Sequence, residues 1–495
     1  MSFAAPIHRS KLIAAALAVT VLAVAAPASA GAGPFAVGNP FTAANGAATM
    51  HGDSESSDTS PWPGPGVGEQ RVRVVTLAAA CPTVLQGSDG IPLALWTAIA
   101  DRRPTVYELD PATGEPVASL ALPASGNVFG GVYPYLDQHD RIVVFDAAGN
   151  LLRIGHHRDG GRSTLTVDQS VPVAAALARH CPDACGGVVG SAPDWRGRVW
   201  FVTAQGVAGV VDPRDGDVRT LRLGDGESVA NSISTTPGAT AIATDHALYL
   251  LSAAHDGVPK VLWRAVYDRG PARKPGQLSH GTGATPTFFG PEDGTRYLAI
   301  TDNAAPTEHL LVYDTWARAV RRRGARKVPR LVCDTPVLTP GASGTENSPV
   351  GFGRSVFVAS TYGYPYPATP AGAEPTQPAS ADFSGGLTRV DLRSDGRGCD
   401  VRWQVPVRSA SVPRLDVAEG HLYGVDRRSL SNSMTPGPFD TYTSVTIDAA
   451  SGAVLHRQPI GVGYDADTLQ MAPTIVPGRV LYQGTISGLT RISPR

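Results

Sequence analysis

The sequence predicts an all-β fold, an eight-bladed β-propeller of four-stranded antiparallel blades, from three observations. Short β-rich runs alternate with Gly, Asp and Pro turns, and no long helical period is present. A marker of small residues, a proline and apolar residues recurs at intervals of roughly 40 to 65 residues, which is the length of one propeller blade. The last unit has only three strands of its own, and a spare strand stands ahead of the first unit.

The markers predict where each blade begins. After each marker comes a β-rich run such as "RIVVFD", and several units then have a run that ends in Asp before a Gly-containing turn, as in "VVDPRDGDV". A proline costs little at the first residue of an innermost strand, because that residue need not donate to the sheet. The markers centre on Pro82, Pro134, Pro193, Ser234 (in place of proline), Pro286, Pro349, Pro413 and Pro473.

The spare strand predicts how the ring closes. We expect residues 70–77 ("QRVRVVTL") to pair with residues 487–492, which completes the last blade and leaves no free sheet edge. A ring of seven blades is the alternative. The one short helix that the pattern indicates lies at Val173–His180.

Three segments follow from the composition along the chain. Residues 1–30 have the basic start, apolar run and "ASA" site of a secretory signal peptide cleaved after Ala30. Residues 31–69, rich in Ala, Gly, Pro and Ser, predict a disordered linker. Residues 70–495 hold the propeller. We therefore expect a secreted protein of bacterial origin, with no membrane span and with a monomeric state.

The charge balance argues against a nucleic-acid partner. The formal net charge is −1, and no basic run with interleaved aromatic residues occurs. The five cysteines predict disulfides in an exported chain. We expect Cys181 with Cys185 and Cys333 with Cys399, which leaves Cys81 as the odd one.

Turns such as "LDPATGEPV" and "IDAASGAVL" resemble the repeats of quinoprotein-like propellers, whose members include enzymes that bind the cofactor PQQ. The resemblance extends over most of residues 70–495 and implies the same eight-bladed fold. The adjacent Cys-Cys pair of the quinoprotein alcohol dehydrogenases does not occur in the sequence, so PQQ is not the cofactor that we favour.

Candidate binding residues fall on the face where a propeller places the loops between blades, and these loops are the longer ones here. Acidic and amide side chains near the blade starts suggest a calcium site at the mouth of the central channel, as in lactonase-type propellers: Glu346, Asn347, Asn231, Asp302 and Asn303. Rim candidates are Tyr362, Tyr364, Tyr366, His280, Asp465 and Asp467. The tyrosines either stack on a ligand or hold their loop in place, and we favour the second interpretation.

No catalytic motif is present in the sequence: there is no G-x-S-x-G elbow, H-E-x-x-H helix, Walker loop or C-x-x-C-H haem site. We therefore predict a binding or scaffolding module that receives a protein, a glycan or a small molecule on the long-loop face. A calcium-dependent hydrolase, lactonase or lyase with its site at the channel is the first alternative, and a PQQ-dependent oxidoreductase is the second.

Overall fold

Eight four-stranded antiparallel sheets follow one another along the chain in a computed structural model, and they form the blades of a propeller ring. The structure describes residues 1–2, 38–124, 133–316, 320–321, 327–370, 372–429 and 437–495. Apart from Met1 and Ser2, the predicted signal peptide lies outside these residues. Residues Gly33–Arg495 belong to one compact unit, and Met1–Ala32 form a separate one.

The strands of each blade run outward from the centre of the ring in chain order. Blade 1 comprises Ala79–Gln86, Pro92–Ala98, Pro104–Leu109 and Pro116–Ala121. Blade 2 comprises Tyr135–Leu136, Ile142–Phe145, Asn150–Asp159 and Arg162–Pro172. Blade 3 comprises Val188–Pro193, Val199–Thr203, Val207–Val211 and Val218–Arg222. Blade 4 comprises Ser234–Thr235, Thr240–Ala243, Ala247–Ala253 and Pro259–Val266.

The second half of the ring repeats this order. Blade 5 comprises Thr287–Phe289, Tyr297–Thr301, His309–Asp314 and Arg330–Pro336, with a small hairpin of Val320–Arg321 and Lys327–Val328 before its last strand. Blade 6 comprises Val350–Phe352, Ser355–Ala359, Leu387–Leu392 and Cys399–Val405. Blade 7 comprises Arg414–Asp416, His421–Arg428, Thr441–Asp448 and Val454–Val462. Blade 8 comprises Thr474–Val476, Val480–Thr485, Gly488–Pro494 and, as its outer strand, Gln70–Thr76.

The predicted ring closure is confirmed. The strand Gln70–Thr76 pairs antiparallel with Gly488–Pro494, from Gln70 opposite Pro494 to Thr76 opposite Gly488. The seven-bladed alternative is therefore wrong. A short helix at Ala174–Leu177 confirms the one helix that the sequence indicated, and two 3₁₀ turns lie at Ala184–Gly186 and Tyr464–Ala466.

Neighbouring blades pack face to face and bury the two middle strands of each blade on both sides. Phe145 of blade 2 and Phe201 of blade 3, for example, lie with ring centroids 5.2 Å apart in one apolar cluster. The outer strand of blade 1, Pro116–Ala121, alternates half-buried and exposed residues instead, because only one of its faces meets a neighbour. The middle strand Val199–Thr203 of blade 3, by contrast, is buried at every residue.

The N-terminal segment of residues 39–66, called the central segment below, fills the inside of the ring. Backbone bonds join it to six of the eight blades, and one example for each is Gln86 N–H to Ala47 O, Leu136 N–H to Ala48 O, Thr235 N–H to Ser54 O, Phe288 N–H to Glu55 O, Gly351 N–H to Ser57 O and Leu415 N–H to Asp58 O. The Asn39 side chain adds a bond to Pro193 O of blade 3 at 2.9 Å, and Arg479 of blade 8 adds one to Gly64 O at 3.0 Å.

The disordered linker predicted for residues 31–69 is therefore wrong for its described part, residues 38–69. Thr59–Ser60 even forms a parallel strand beside the innermost strand of blade 7. The physical reason is that the innermost strands present unpaired backbone groups to the channel, and a chain of small residues fits beside them there. The small residues that are typical of disordered chains are also the residues that fit into the narrow central channel of the propeller.

Both predicted disulfides are present. Cys181 and Cys185 close a small loop after the helix, with their Cα atoms 5.4 Å apart. Cys333 and Cys399 join the outer strands of blades 5 and 6, with Cα atoms 5.6 Å apart. Cys81 is buried and has no disulfide partner.

No helix among the described residues is long and apolar enough to cross a membrane.

Candidate functional site

The mouth of the central channel is a pocket of about 600 Å³ on the long-loop face. The loops that enter each blade, and those between second and third strands, supply its walls. Much of the lining is apolar, and it includes Met50, Ile99, Val229, Leu278, Val412 and Met471. A concave apolar site of this size with a few polar groups is typical of small-molecule binding.

The central segment forms the floor of this pocket through Met50 and His51. His51 Nδ1 lies 2.9 Å from Asp58 Oδ2, and Asp58 is fully buried. Asp58 also lies 3.4 Å from the guanidinium of Arg414, which is buried as well. The other ring nitrogen, His51 Nε2, is buried and has no hydrogen-bond partner among the described residues.

Glu346 stands at the start of blade 6 and lines the pocket. Its Oε1 accepts a hydrogen bond from Ser279 Oγ at 2.8 Å, whereas its Oε2 is buried without a partner among the described residues. Gly283, at φ +60°, lies so close that an added Cβ would meet the carboxyl oxygen at 2.4 Å. Burial raises the pKa of Glu346 to about 7, although the hydrogen bond from Ser279 and the charge of Arg273 oppose the shift.

Two predicted amide side chains lie in the same pocket. Asn347 Nδ2 donates to Ala410 O at 2.9 Å, and its Oδ1 is buried without a partner in the part of the chain that the structure describes. Asn231 Oδ1 accepts from the hydroxyl of Tyr133 at 2.7 Å. The Tyr133 ring stacks beside His51 at 5.9 Å between centroids, so these groups form a connected wall and floor.

Asp302 and Asn303 do not line the pocket. Asp302 Oδ1 accepts backbone N–H bonds from Ala304 and His309 at 3.1 and 2.7 Å, which shape the end of its strand. Asn303 Nδ2 donates to the backbone oxygen of Arg269 at 2.7 Å and to that of Ala272 at 3.0 Å. The structure therefore brings together Glu346, Asn347 and Asn231 of the predicted calcium set, and Asp302 serves its own loop.

A buried polar network that the sequence analysis missed holds the loop of residues 269–284 beside the pocket. Lys274 Nζ donates to Ser343 O at 2.9 Å and lies 3.5 Å from Glu308 Oε1. Gln277 Nε2 donates to Glu308 Oε1 at 3.1 Å. Burial raises the pKa of Glu308 to about 8. Because these residues are far apart in sequence, no local pattern indicates the network.

Two of the predicted rim tyrosines donate hydrogen bonds to the loop that enters blade 8. Tyr364 donates to Asp467 Oδ1, and Tyr366 donates to Gln470 Oε1 at 2.8 Å. Tyr362 is also buried, and only Tyr366 among the three lines the pocket. The hydroxyl groups of Tyr364 and Tyr366 are thus engaged, and the rings of Tyr362 and Tyr364 are buried, so a ligand has little access to stack on them.

The loop of residues 361–386, called the strap loop, reaches from these tyrosines to the loop of residues 269–284. His280 Nδ1 lies 2.7 Å from Glu374 Oε2. Arg273 Nε donates to Glu374 O at 2.8 Å, and Gln377 N–H donates to Arg273 O at 2.8 Å. His280 and Glu374 line the pocket, so the strap loop encloses one side of it. Asp465, another rim candidate, is exposed and does not line the pocket.

One cluster of potential metal ligands occurs among the described residues, and it lies away from the pocket. Asp416, Glu419 and His421 bring their ligand atoms within 4.8 Å of one another. Asp416 Oδ2 already accepts from Gly64 N–H at 2.9 Å, and Glu419 pairs with Arg479. These partners account for the cluster as an anchor of the central segment and the neighbouring turns.

Comparison with known proteins gives limited matches. No protein-family model matches the chain. A curated protein of Archaeoglobus fulgidus, described as an uncharacterized protein, is 33% identical over 129 residues, which cover 24% of this chain and 25% of that protein. The chain thus matches about a quarter of the length of this relative.

Two solved structures are similar to this one in fold. A streptogramin B lyase structure has a TM-score of 0.40 and 10% identity, covering 86% of this chain and 98% of that chain. A structure of U3-55K has a TM-score of 0.37 and 9% identity, covering 72% of this chain and 92% of that chain. The chain is a β-propeller by its own geometry.

Proposed function

We propose that this propeller is a binding protein that takes up a small organic molecule in the channel-mouth pocket. The observation that supports the proposal most strongly is the pocket itself: it has a volume of about 600 Å³, it is largely apolar, and a few of its polar atoms have no partner among the described residues. Pockets of this size and composition bury most of the surface of a drug-sized ligand. The central segment below and the strap loop beside it favour an enclosed ligand over a flat protein–protein contact.

The other predicted partners are less well supported by this pocket. A glycan requires many polar partners along its length, whereas residues such as Ile99, Leu278 and Met471 present apolar surface. The calcium-dependent enzyme retains Glu346 and Asn347 as oxygen ligands but not Asp302, whose oxygen is engaged by backbone N–H groups. No feature of the pocket favours PQQ over other organic molecules.

We also propose that the protein acts outside the cytoplasm. The Cys181–Cys185 and Cys333–Cys399 disulfides support this proposal, because such bonds persist in oxidising compartments. Expression in a bacterial host that secretes proteins, followed by N-terminal sequencing, tests it. A mature chain that begins at Gly31 would support export, and retention of the full chain in the cytoplasm would contradict it.

A thermal-shift screen of a diverse small-molecule library tests the binding proposal, with a variant in which the pocket is filled. Ala230 lines the pocket and is exposed, so Ala230→Trp adds bulk there without disturbing the core. Ala450, an exposed residue in a turn of blade 7, provides the matched control Ala450→Trp. We expect ligands that stabilise the natural chain and the control but not Ala230→Trp.

Two results would contradict the proposal. One is that no library member stabilises the protein. The other is that every stabilising ligand acts equally on Ala230→Trp, which would place binding elsewhere on the molecule.

A further inference from the structure

The open polar atoms of the pocket include more acceptors than donors: among the described residues Arg269 Nε is an open donor, and the hydroxyl of Thr97 can donate or accept. Glu346 Oε2, Asn347 Oδ1 and His51 Nε2 are all buried, and none has a hydrogen-bond partner among the described residues. All three residues line the same pocket. A buried acceptor without a partner costs free energy, and a ligand that brings donors to these atoms recovers it.

The contact with Asp58 determines which ring nitrogen of His51 carries a proton. Asp58 Oδ2 lies 2.9 Å from His51 Nδ1, and the guanidinium of Arg414 lies 3.4 Å from the other carboxylate oxygen, Asp58 Oδ1. An ionised carboxylate only accepts hydrogen bonds, so Nδ1 carries the proton. In the neutral form of the ring, Nε2 then presents a lone pair to the pocket.

Several donors that line the pocket are already engaged. Arg273 donates to the backbone oxygens of Gln277 and Glu374 at 2.6 and 2.8 Å. The Tyr133 hydroxyl donates to Asn231 at 2.7 Å. The pocket therefore offers more to a ligand that donates hydrogen bonds than to one that accepts them.

From this arrangement, and resting on the proposed binding function, we infer that the ligand is an organic amine with an apolar body. Its protonated amino group supplies three N–H donors, as many as the open acceptors of Glu346, Asn347 and His51. The apolar part packs against side chains such as Leu278 and Val412. A carboxylic acid brings only acceptors in its ionised form and is disfavoured beside Glu346.

Calorimetric titration with compounds of one shape and different head groups tests the inference. The probes are 4-phenylbutylamine, 4-phenyl-1-butanol and 4-phenylbutyrate, and calcium chloride is titrated alone. We expect the amine to bind about 10-fold or more tightly than the alcohol, because hydrogen bonds between charged partners are the stronger ones. Equal or tighter binding of the alcohol or the carboxylate would overturn the inference, as would calcium binding that displaces the amine.

Variants of Glu346 and His51 test whether these two residues cause the preference for the amine. In Glu346→Gln the advantage of the amine should fall to about 3-fold or less, because the change removes one acceptor oxygen and the negative charge. It should also fall in His51→Gln, because the contact of Asp58 with the ring is lost and no acceptor is fixed at the position of Nε2. Glu292→Gln and His156→Gln are controls, since Glu292 is half-exposed in a turn of blade 5 and His156 pairs with Asp89 away from the pocket. If His51→Gln does not fold, Glu346→Gln alone decides the result.

The experiment separates this inference from the binding function on which it rests. If library ligands no longer bind to the Ala230→Trp variant but the amine binds no more tightly than the alcohol, the binding function stands and the amine inference fails. If no small molecule binds the natural chain, both fail.

Discussion

Arg414 connects the central segment to the innermost strands, so replacing it tests how firmly that segment is built into the ring. The side chain is buried, and its guanidinium donates to Pro473 O at 2.8 Å and to Met50 O, and lies 3.4 Å from Asp58. Arg414→Met removes these contacts and leaves the Asp58 carboxylate buried without its cation. Breaking a buried ion pair from one side typically costs about 3–5 kcal/mol.

Urea denaturation at neutral pH, with the disulfides intact, measures the effect. Urea is preferred because guanidinium chloride is a salt and therefore screens ion pairs. Arg103→Met is the matched control: its exposed pair with Asp101 should contribute at most about 1 kcal/mol. A loss in Arg414→Met no larger than in this control would refute the view that the central segment is anchored at Arg414. Arg414→Lys, which keeps the charge, replaces the Met variant if the latter fails to fold.

Three further predictions follow from buried groups. Burial raises the pKa of Glu308 from 4.5 to about 8, so its contribution to stability is fully present below pH 4.5 and is lost as the pH rises through 8. Glu308→Gln should therefore flatten this part of the curve of unfolding free energy against pH. An unchanged slope in the variant would contradict the prediction. Replacing both Cys333 and Cys399 by Ser should lower the unfolding free energy measured in urea by about 4 kcal/mol, because their disulfide closes a long loop with a sequence separation of 66. A loss below about 1 kcal/mol would contradict this prediction. Tyr364→Phe removes the hydroxyl bound to Asp467 and should speed proteolytic cleavage within residues 361–386, and unchanged cleavage would show that other contacts hold the strap loop.

The blade architecture was predictable because its signals are local. Pro286 and Pro349 each stand immediately before an innermost strand, and the Asp and Gly turns mark the outer hairpins. Each blade is one repeat of the same pattern, so weak signals add up over eight copies. The pairing of residues 70–77 followed from counting strands, since the last unit lacks one.

The central segment was not predictable from local pattern. Its Ala, Gly, Pro and Ser residues are typical of disordered chains, and its partners come from blades throughout the chain. Asp58 and Arg414 are far apart in sequence, yet they form a buried pair. Only the finished ring provides the unpaired strand edges that order this segment.

The candidate site was predictable in part. Glu346, Asn347 and Asn231 lie in the pocket because residues just before an innermost strand reach the channel mouth. Asp302 lies at the end of a strand on the same face of the propeller, but its carboxylate accepts backbone N–H bonds of its own loop, which is the common role of Asp at strand ends. His51 was missed because it belongs to the segment interpreted as a linker.

The most direct test of a binding site at the channel mouth is a crystal structure of the protein with a ligand selected by the thermal-shift screen. We expect ligand density between His51, Glu346 and Tyr366, above the floor that the central segment forms. Density on an outer strand or on the opposite face, with an empty channel mouth, would contradict it.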